Sequence, residues 1–246
     1  MADWITPDWP APPNVKAAAT LRTGGVSEGA FASLNLGSHV GDDPAAVAEN
    51  RRLLKAALRL PTEPTWLNQV HGINVVDASA EGTTPSADAS IARGAGAVCV
   101  VMTADCLPVL FCDRAGTRVG AAHAGWRGLA GGVLGATIKA LDVPPSQLMA
   151  WLGPAIEQDA FEVGDDVHEA FLKLAADNAA AFRANARARW QADLYQLARN
   201  ELARLGVTNV YGGGFKCFAD SERFFSYRRE SRSGRMATLV WLTGQS

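Results

Sequence analysis

The sequence predicts an α+β fold: a layered α/β sandwich with a mixed central sheet. Three observations carry this. Apolar runs of strand length recur between turn residues, helical periodicities occupy other stretches, and the two do not alternate strictly. At 246 residues the chain suits one domain, read as residues 1–246. Hydrophobic residues at 48% and charged residues at 20% supply a core in ordinary globular proportion.

Taken in order, the Pro-rich stretch Pro7 to Pro13 reads as a surface arm before a first strand near Lys16 to Leu21. RTGGVSEGAFASLNLGSHVGDD then forms a long loop, which its Phe31, Leu34 and Leu36 mark as packed rather than disordered. Asp43 before Pro44 is a helix start, an N-cap acid followed by proline at the first helical position. Val47, Leu54 and Leu58 carry that helix to about Leu60, and Pro61 ends it. Thr65 to Val70 and Ile73 to Asp77 read as strands flanking His71 and Gly72. Ala97 to Thr103, Pro108 to Cys112 and Arg118 to Ala122 are apolar runs suited to buried strands of the central sheet. Leu134, Ile138 and Leu141 place a helix from about Gly128 to Leu141, and Met149 to Leu152 is a short strand. Asp165 to Asp177 and Gln191 to Leu205 read as helices, the first opened by acids that suit the helix dipole. Ala237 to Leu242 is the last strand.

Charge and composition exclude several function classes. A net charge of −2 leaves no basic excess to neutralise a nucleic-acid backbone. No apolar run reaches membrane-spanning length, and MADWITPDWPAPPNV lacks the basic and apolar regions of an export signal. A cytoplasmic location without membrane partners is therefore expected. The four cysteines, Cys99, Cys106, Cys112 and Cys217, form no CxxC pair, which argues against a zinc knuckle or a thioredoxin-like motif. Disulfides are not expected in such a compartment.

His71 in NQVHG, Cys106 in TADC and His123 in AHAGWRG stand out as a possible metal-ligand set. Two imidazoles and a thiolate suit a borderline metal such as zinc and leave one position open, as in catalytic rather than structural zinc sites. Each sits at a predicted strand end, and neighbouring strands are close enough to bring the three together. The competing reading makes the histidines hydrogen-bonded structural residues and Cys106 a small buried hydrophobe. Asp105 either orients a ligand or satisfies loop amides.

The blocks WLNQVHG, MTADCLPVLF, AAHAGWRGL, GPAIEQDAFEVG and FFSYRRESRSGRMA, with RTGGVSEGAFASLNLGSHVGDD before them, closely resemble the YfiH family. This family is also called the laccase-domain or peptidoglycan-editing-factor family. The resemblance covers nearly the whole chain. It implies the layered fold of cytotoxic-necrotizing-factor-like cysteine hydrolases and zinc held by His71, Cys106 and His123. It also implies phosphorolysis of adenosine, inosine and methylthioadenosine, with adenosine deaminase activity alongside. Glu157, where family members often carry glycine, and Phe218, where threonine is frequent, depart from the pattern and bear on substrate fit.

Phosphorolysis requires an anion pocket for phosphate, for which arginine offers a bidentate fork. Arg22, Arg127, Arg228 and Arg229 are the candidates, while Arg232 and Arg235 read as a solvated loop. Asn35, Asn68 and Gln69 can bond ribose or base edges, turn formation being their commoner use. His39 is either a substrate contact or a loop residue, His168 is structural, and Trp126 either stacks on a base or packs. YGGGFKC lacks a phosphate-loop pattern and reads as a tight loop, and Cys99 and Cys112 as core.

The first functional reading is thus a zinc-dependent purine nucleoside phosphorylase with deaminase activity, its substrates purine nucleosides and phosphate. The second is a Cys–His amide hydrolase editing peptidoglycan precursors, with Cys106 as nucleophile and His123 as base. A zinc-bound Cys106 cannot also attack, so the two exclude each other at any one instant. A multicopper polyphenol oxidase needs more imidazoles than four histidines supply, although Cu2+ can occupy the same site. A metal-binding role without turnover is the remaining reading.

Overall fold

Alternate residues of the apolar runs face two different cores, and this alternation builds the architecture. The computed structural model describes residues 3–79 and 84–244. One sheet is antiparallel throughout and contains β1 (Trp4–Ile5), β2 (Val15–Thr20), β13 (Met236–Leu242) and β5 (Val98–Thr103), in that order. The larger sheet is mixed, with order β12 (Asn209–Gly212), β8 (Leu148–Leu152), β6 (Leu107–Asp113), β7 (Val119–Ala124), β4 (Ala89–Ala92) and β3 (Val75–Asp77). Its outer pairs, β12 with β8 and β3 with β4, are parallel, and the inner pairs are antiparallel.

Cys99, Val101 and Val240 of the first sheet pack against Leu110, Cys112, Ala121 and Trp151 of the second, forming the core between the sheets. The outer face of the first sheet, through Val98, Val100, Leu239 and Trp241, takes Leu54 of α1 (Pro44–Leu58). The other face of the larger sheet, through Val109, Phe111, Ala122 and Leu152, is covered by helical residues including Leu134, Ile138 and Leu197. These come from α3 (Val133–Leu141) and α5 (Leu194–Arg204). The remaining helices are α2 (Trp126–Gly131) and α4 (Asp165–Leu174), and β9 (Glu162–Val163), β10 (Phe182–Ala184) and β11 (Trp190–Ala192) form a small antiparallel sheet.

Several expectations are corrected. Thr65 to Val70 is no strand: it is held by isolated bridges from Thr65 to Cys99 and from Asn68 to Ser86 and runs along the free edge of β5. The run Ala97 to Thr103 belongs to the antiparallel sheet, not to the one that holds β6 and β7. The helix expected from Gly128 to Leu141 is two helices, because Gly132 adopts φ 96°, closing α2 and opening α3. Gln191 lies in β11, and α5 begins only after Asp193, whose side chain accepts the Gln196 amide. The YGGGFKC stretch opens as the end of β12 before turning through Gly212, Gly213 and Gly214, all at positive φ.

The long loop before α1 is packed, as its apolar residues require. Leu34 and Leu36 are fully buried. Asn50 of α1, also fully buried, donates through Nδ2 to the Ser27 hydroxyl and to the Ser33 and Asn35 carbonyls, and its Oδ1 accepts the Val26 amide. A single amide side chain thereby fastens the loop to the helix.

Candidate active site

His71 follows the irregular segment and stands at φ 60°, a left-handed conformation that non-glycine residues seldom adopt. Two side chains hold it there. Gln69 pairs with Met102 like a strand neighbour: its Nε2 donates to the Met102 carbonyl at 2.8 Å, and its Oε1 accepts the Met102 amide at 2.7 Å. Asp88, fully buried just before β4, accepts the backbone N–H groups of Val70 (3.2 Å), His71 (2.9 Å) and Gly72 (2.6 Å).

Asp88 also holds His123. The His123 Nδ1 lies 2.8 Å from Asp88 Oδ1, and the His123 amide donates to the Asp88 carbonyl at 2.7 Å. A carboxylate already accepting three amides requires Nδ1 to donate, which leaves Nε2 as the ligand atom. Burial alone would raise the Asp88 carboxyl, but the bonds from His123 and the Gly72 and Val70 amides hold it below its ordinary value. Sequence reasoning missed Asp88. Its signal was an acid set among small residues in SADAS, too short to read as a strand.

Cys106 sits in the tight turn between β5 and β6, where the chain passes from one sheet to the other. Its Sγ is 3.9 Å from His71 Nε2, and the two histidine rings meet edge to face with centroids 4.8 Å apart. All three candidate ligand atoms lie within 4.8 Å of one another. Burial would push the Cys106 thiol up, but the charge of His123 and hydrogen bonds from both histidines outweigh it and hold the thiol at about 6. Burial would likewise lower His123, yet Cys106 and the Asp88 bond raise it to about 9. Both shifts run in the direction that favours a thiolate beside an imidazolium. Gly125, ahead of α2, is needed for this approach, since a Cβ there would meet Cys106 Sγ at 2.8 Å and His71 Cδ2 at 3.2 Å.

Asp105, at φ 89°, is buried; its Oδ2 accepts the Arg228 amide at 2.7 Å, while Oδ1 has no partner among the described residues. It thus ties the Cys106 turn to the C-terminal loop. The arginines of that loop fare differently. Arg229 spends its guanidinium on the carbonyls of Cys217, Phe218 and Phe224. Arg228 extends over Phe161 and donates to the Glu162 carbonyl. Arg22 bonds the Ala32 and Ser221 carbonyls and covers Phe225. Arg127 is exposed and lies over Trp126. Asn35 is fully buried; its Nδ2 donates to the Gly37 carbonyl and Asp42 carboxylate, and its Oδ1 accepts the Gly37 and Arg235 amides. Asn68 donates to the Ser86 hydroxyl. His168 stacks on Trp190 at 3.8 Å, a packing role. Arg235 is not a solvated loop residue: it is half-buried beside the Cys106 turn. His39 is exposed, and partial desolvation with the charges of Arg235, Arg51 and His123 holds its imidazole below its ordinary value.

A family profile described as Multi-copper polyphenol oxidoreductase laccase matches residues 16–243. The chain belongs to the laccase-domain family. Among its laccase-domain relatives, the Pseudomonas aeruginosa protein named Purine nucleoside phosphorylase PA4543 is 57% identical over 98% of this chain and 99% of its own. The Escherichia coli protein named Purine nucleoside phosphorylase YfiH is 51% identical over 98% of this chain and all of its own. Among solved structures, Neisseria meningitidis protein NMB0706 superposes with TM-score 0.95 at 56% identity, covering 98% of this chain and 99% of that one. YlmD from Geobacillus stearothermophilus gives TM-score 0.93 at 30% identity, with 98% and 96% covered.

The donor set of this laccase-domain protein fits a single four-coordinate ion. Tetrahedral zinc with one sulfur and one nitrogen ligand sets them about 3.6 Å apart, close to the 3.9 Å between Cys106 Sγ and His71 Nε2. Among the described residues, no other group of three or more histidine, cysteine or acidic side chains has this closeness. The fit is therefore to one ion and not to a multinuclear copper cluster.

Proposed function

We propose that this chain is a zinc-dependent purine nucleoside phosphorylase. It converts adenosine, inosine and methylthioadenosine, with phosphate, to the free base and ribose 1-phosphate, and deaminates adenosine at the same centre. The observation that carries the reading is the convergence of His71, Cys106 and His123 in a chain that aligns end to end with proteins named purine nucleoside phosphorylase.

When bound, zinc supplies a Lewis acid that polarises a substrate oxygen or water. The protein groups do the rest. Asp88 fixes the His123 tautomer and the His71 turn together, so both imidazoles are aimed before substrate arrives. Cys106 stays a thiolate, which suits metal ligation. The exposed apolar side chains Val70 and Ile73 flank His71 and offer a surface for the purine face. Arg127 and Arg228 contribute positive charge for phosphate and sugar. Arg22, Asn35 and Arg229 act at one remove, by holding the loops that frame the centre.

One feature favours a second reading, the Cys–His amide hydrolase. Without metal, Cys106, His123 and Asp88 form a thiolate, an imidazolium and an orienting carboxylate, the arrangement of a cysteine nucleophile with its base. Chelation followed by zinc add-back separates the readings. The phosphorylase loses nucleoside cleavage on chelation and regains it with zinc. A chelated protein that hydrolyses muropeptide amides, with no base release from the zinc-loaded form, establishes the hydrolase instead. Cys106→Ala should lose zinc along with activity, and stoichiometric zinc in that variant contradicts the ligand assignment.

A further inference from the structure

Phosphorolysis requires an oxyanion beside the reacting sugar, yet Arg22 and Arg229 have their guanidinium groups bonded to backbone carbonyls. Arg235 does not. Only its Nη1 is engaged, with the Ser233 and Gly234 carbonyls at 2.7 and 3.0 Å. Nε and Nη2 have no protein acceptor among the described residues, and neither is sealed from solvent.

The fold places Arg235 beside the turn that carries one of the metal-ligand candidates. Met236 pairs with Thr103 at the end of the β13 to β5 ladder, so Arg235 lies one step beyond, alongside the turn that carries Asp105 and Cys106. Its position is built. Asn35 Oδ1 accepts the Arg235 amide at 2.9 Å, and Gly37 is bare where a Cβ would come 2.8 Å from Arg235 Cγ. The guanidinium lies 5.7 Å from the centroid of the exposed Tyr227 ring.

We propose that Arg235 binds phosphate directly at this centre, its free guanidinium edge receiving an oxyanion placed beside His71, Cys106 and His123, while Arg127 and Arg228 add charge from further out. The proposal rests on the phosphorylase reading for its reaction but concerns oxyanion binding, which can be measured without turnover. Asn35 and Gly37 then act as positioning residues for Arg235.

The test compares zinc-loaded wild type with Arg235→Gln and Arg235→Lys, first confirming equal zinc content and a cooperative melt in each. Inorganic phosphate alone should raise the melting temperature of the wild type and not that of Arg235→Gln. In the turnover assay Arg235→Gln should raise the KM for phosphate about tenfold to a hundredfold, the loss of a charge-assisted hydrogen bond, with the KM for inosine little changed and partial rescue by Arg235→Lys. Phosphate stabilisation lost in Arg235→Gln without base release from the wild type upholds the oxyanion site and removes the phosphorylase reading. Phosphate-dependent base release with an unchanged phosphate KM in Arg235→Gln keeps that reading and overturns the proposal. A shift with ribose 5-phosphate but none with inorganic phosphate also overturns it, marking a site for a phosphate ester.

Discussion

Asp88 spends both carboxylate oxygens on the ligand set, one bonded to His123 and the His71 amide, the other to the amides on either side. Asp88→Asn keeps the shape but replaces an acceptor with a donor facing N–H groups, so metal affinity should fall about 10- to 100-fold. A competition titration with a chromophoric chelator measures it, and an unchanged affinity would refute the orienting role. Gly125→Ala should be worse, because the added methyl occupies the space of the Cys106 sulfur; zinc content after purification reports the loss. The thiol near 6 and His123 near 9 also set a pH dependence. Between those values a metal must displace the His123 proton but finds Cys106 already ionised. Midway, binding should release about one proton per ion, and affinity should rise with pH until His123 is neutral by itself. Titration calorimetry in buffers of differing ionisation enthalpy counts that proton, and a count of zero contradicts the thiolate–imidazolium pair. At this scale His71, Cys106 and His123 were legible because ligand-type residues stood at the ends of apolar runs. Asp88 was not, since it gains its partners only from what the fold sets beside it.

At the scale of elements, Gln69 substitutes for a missing strand. Its side-chain amide satisfies both backbone groups of Met102, which the irregular segment cannot reach with its own backbone. Gln69→Ala leaves those two groups unpartnered and should cost about 1–3 kcal/mol, read as a lower denaturant midpoint with an unchanged slope. An unchanged midpoint would show that water replaces the clamp without cost. The same segment shows where periodicity misleads: TWLNQV has the composition of a strand, but Pro64 and the turn at His71 give it only isolated bridges. β4 and β12 failed in the opposite sense. ASIA is short and rich in small residues and NVYG is short and runs into glycines, so neither signals a strand, and their pairing with β7 and β8 comes from tertiary context. Long apolar strands and the capped α1 were legible because their local signals and their burial agree.

On the scale of the molecule, the candidate centre lies where the two sheets exchange chain. Cys106 comes from the crossover between β5 and β6, His123 from the end of β7, His71 from the irregular segment beside β5, and Arg235 from the approach to β13. No single element contains the site, so its layout was readable from sequence only as separate motifs; the layered α+β class was readable from the distribution of apolar runs. The central claim, phosphate-dependent nucleoside cleavage at the His71–Cys106–His123 centre, is tested most directly by product analysis. Metal-quantified protein is incubated with inosine, with and without phosphate, alongside Cys106→Ala. Hypoxanthine and ribose 1-phosphate should form only when phosphate is present, and the variant should give neither. No base release from fully zinc-loaded protein, or equal release without phosphate, would contradict it.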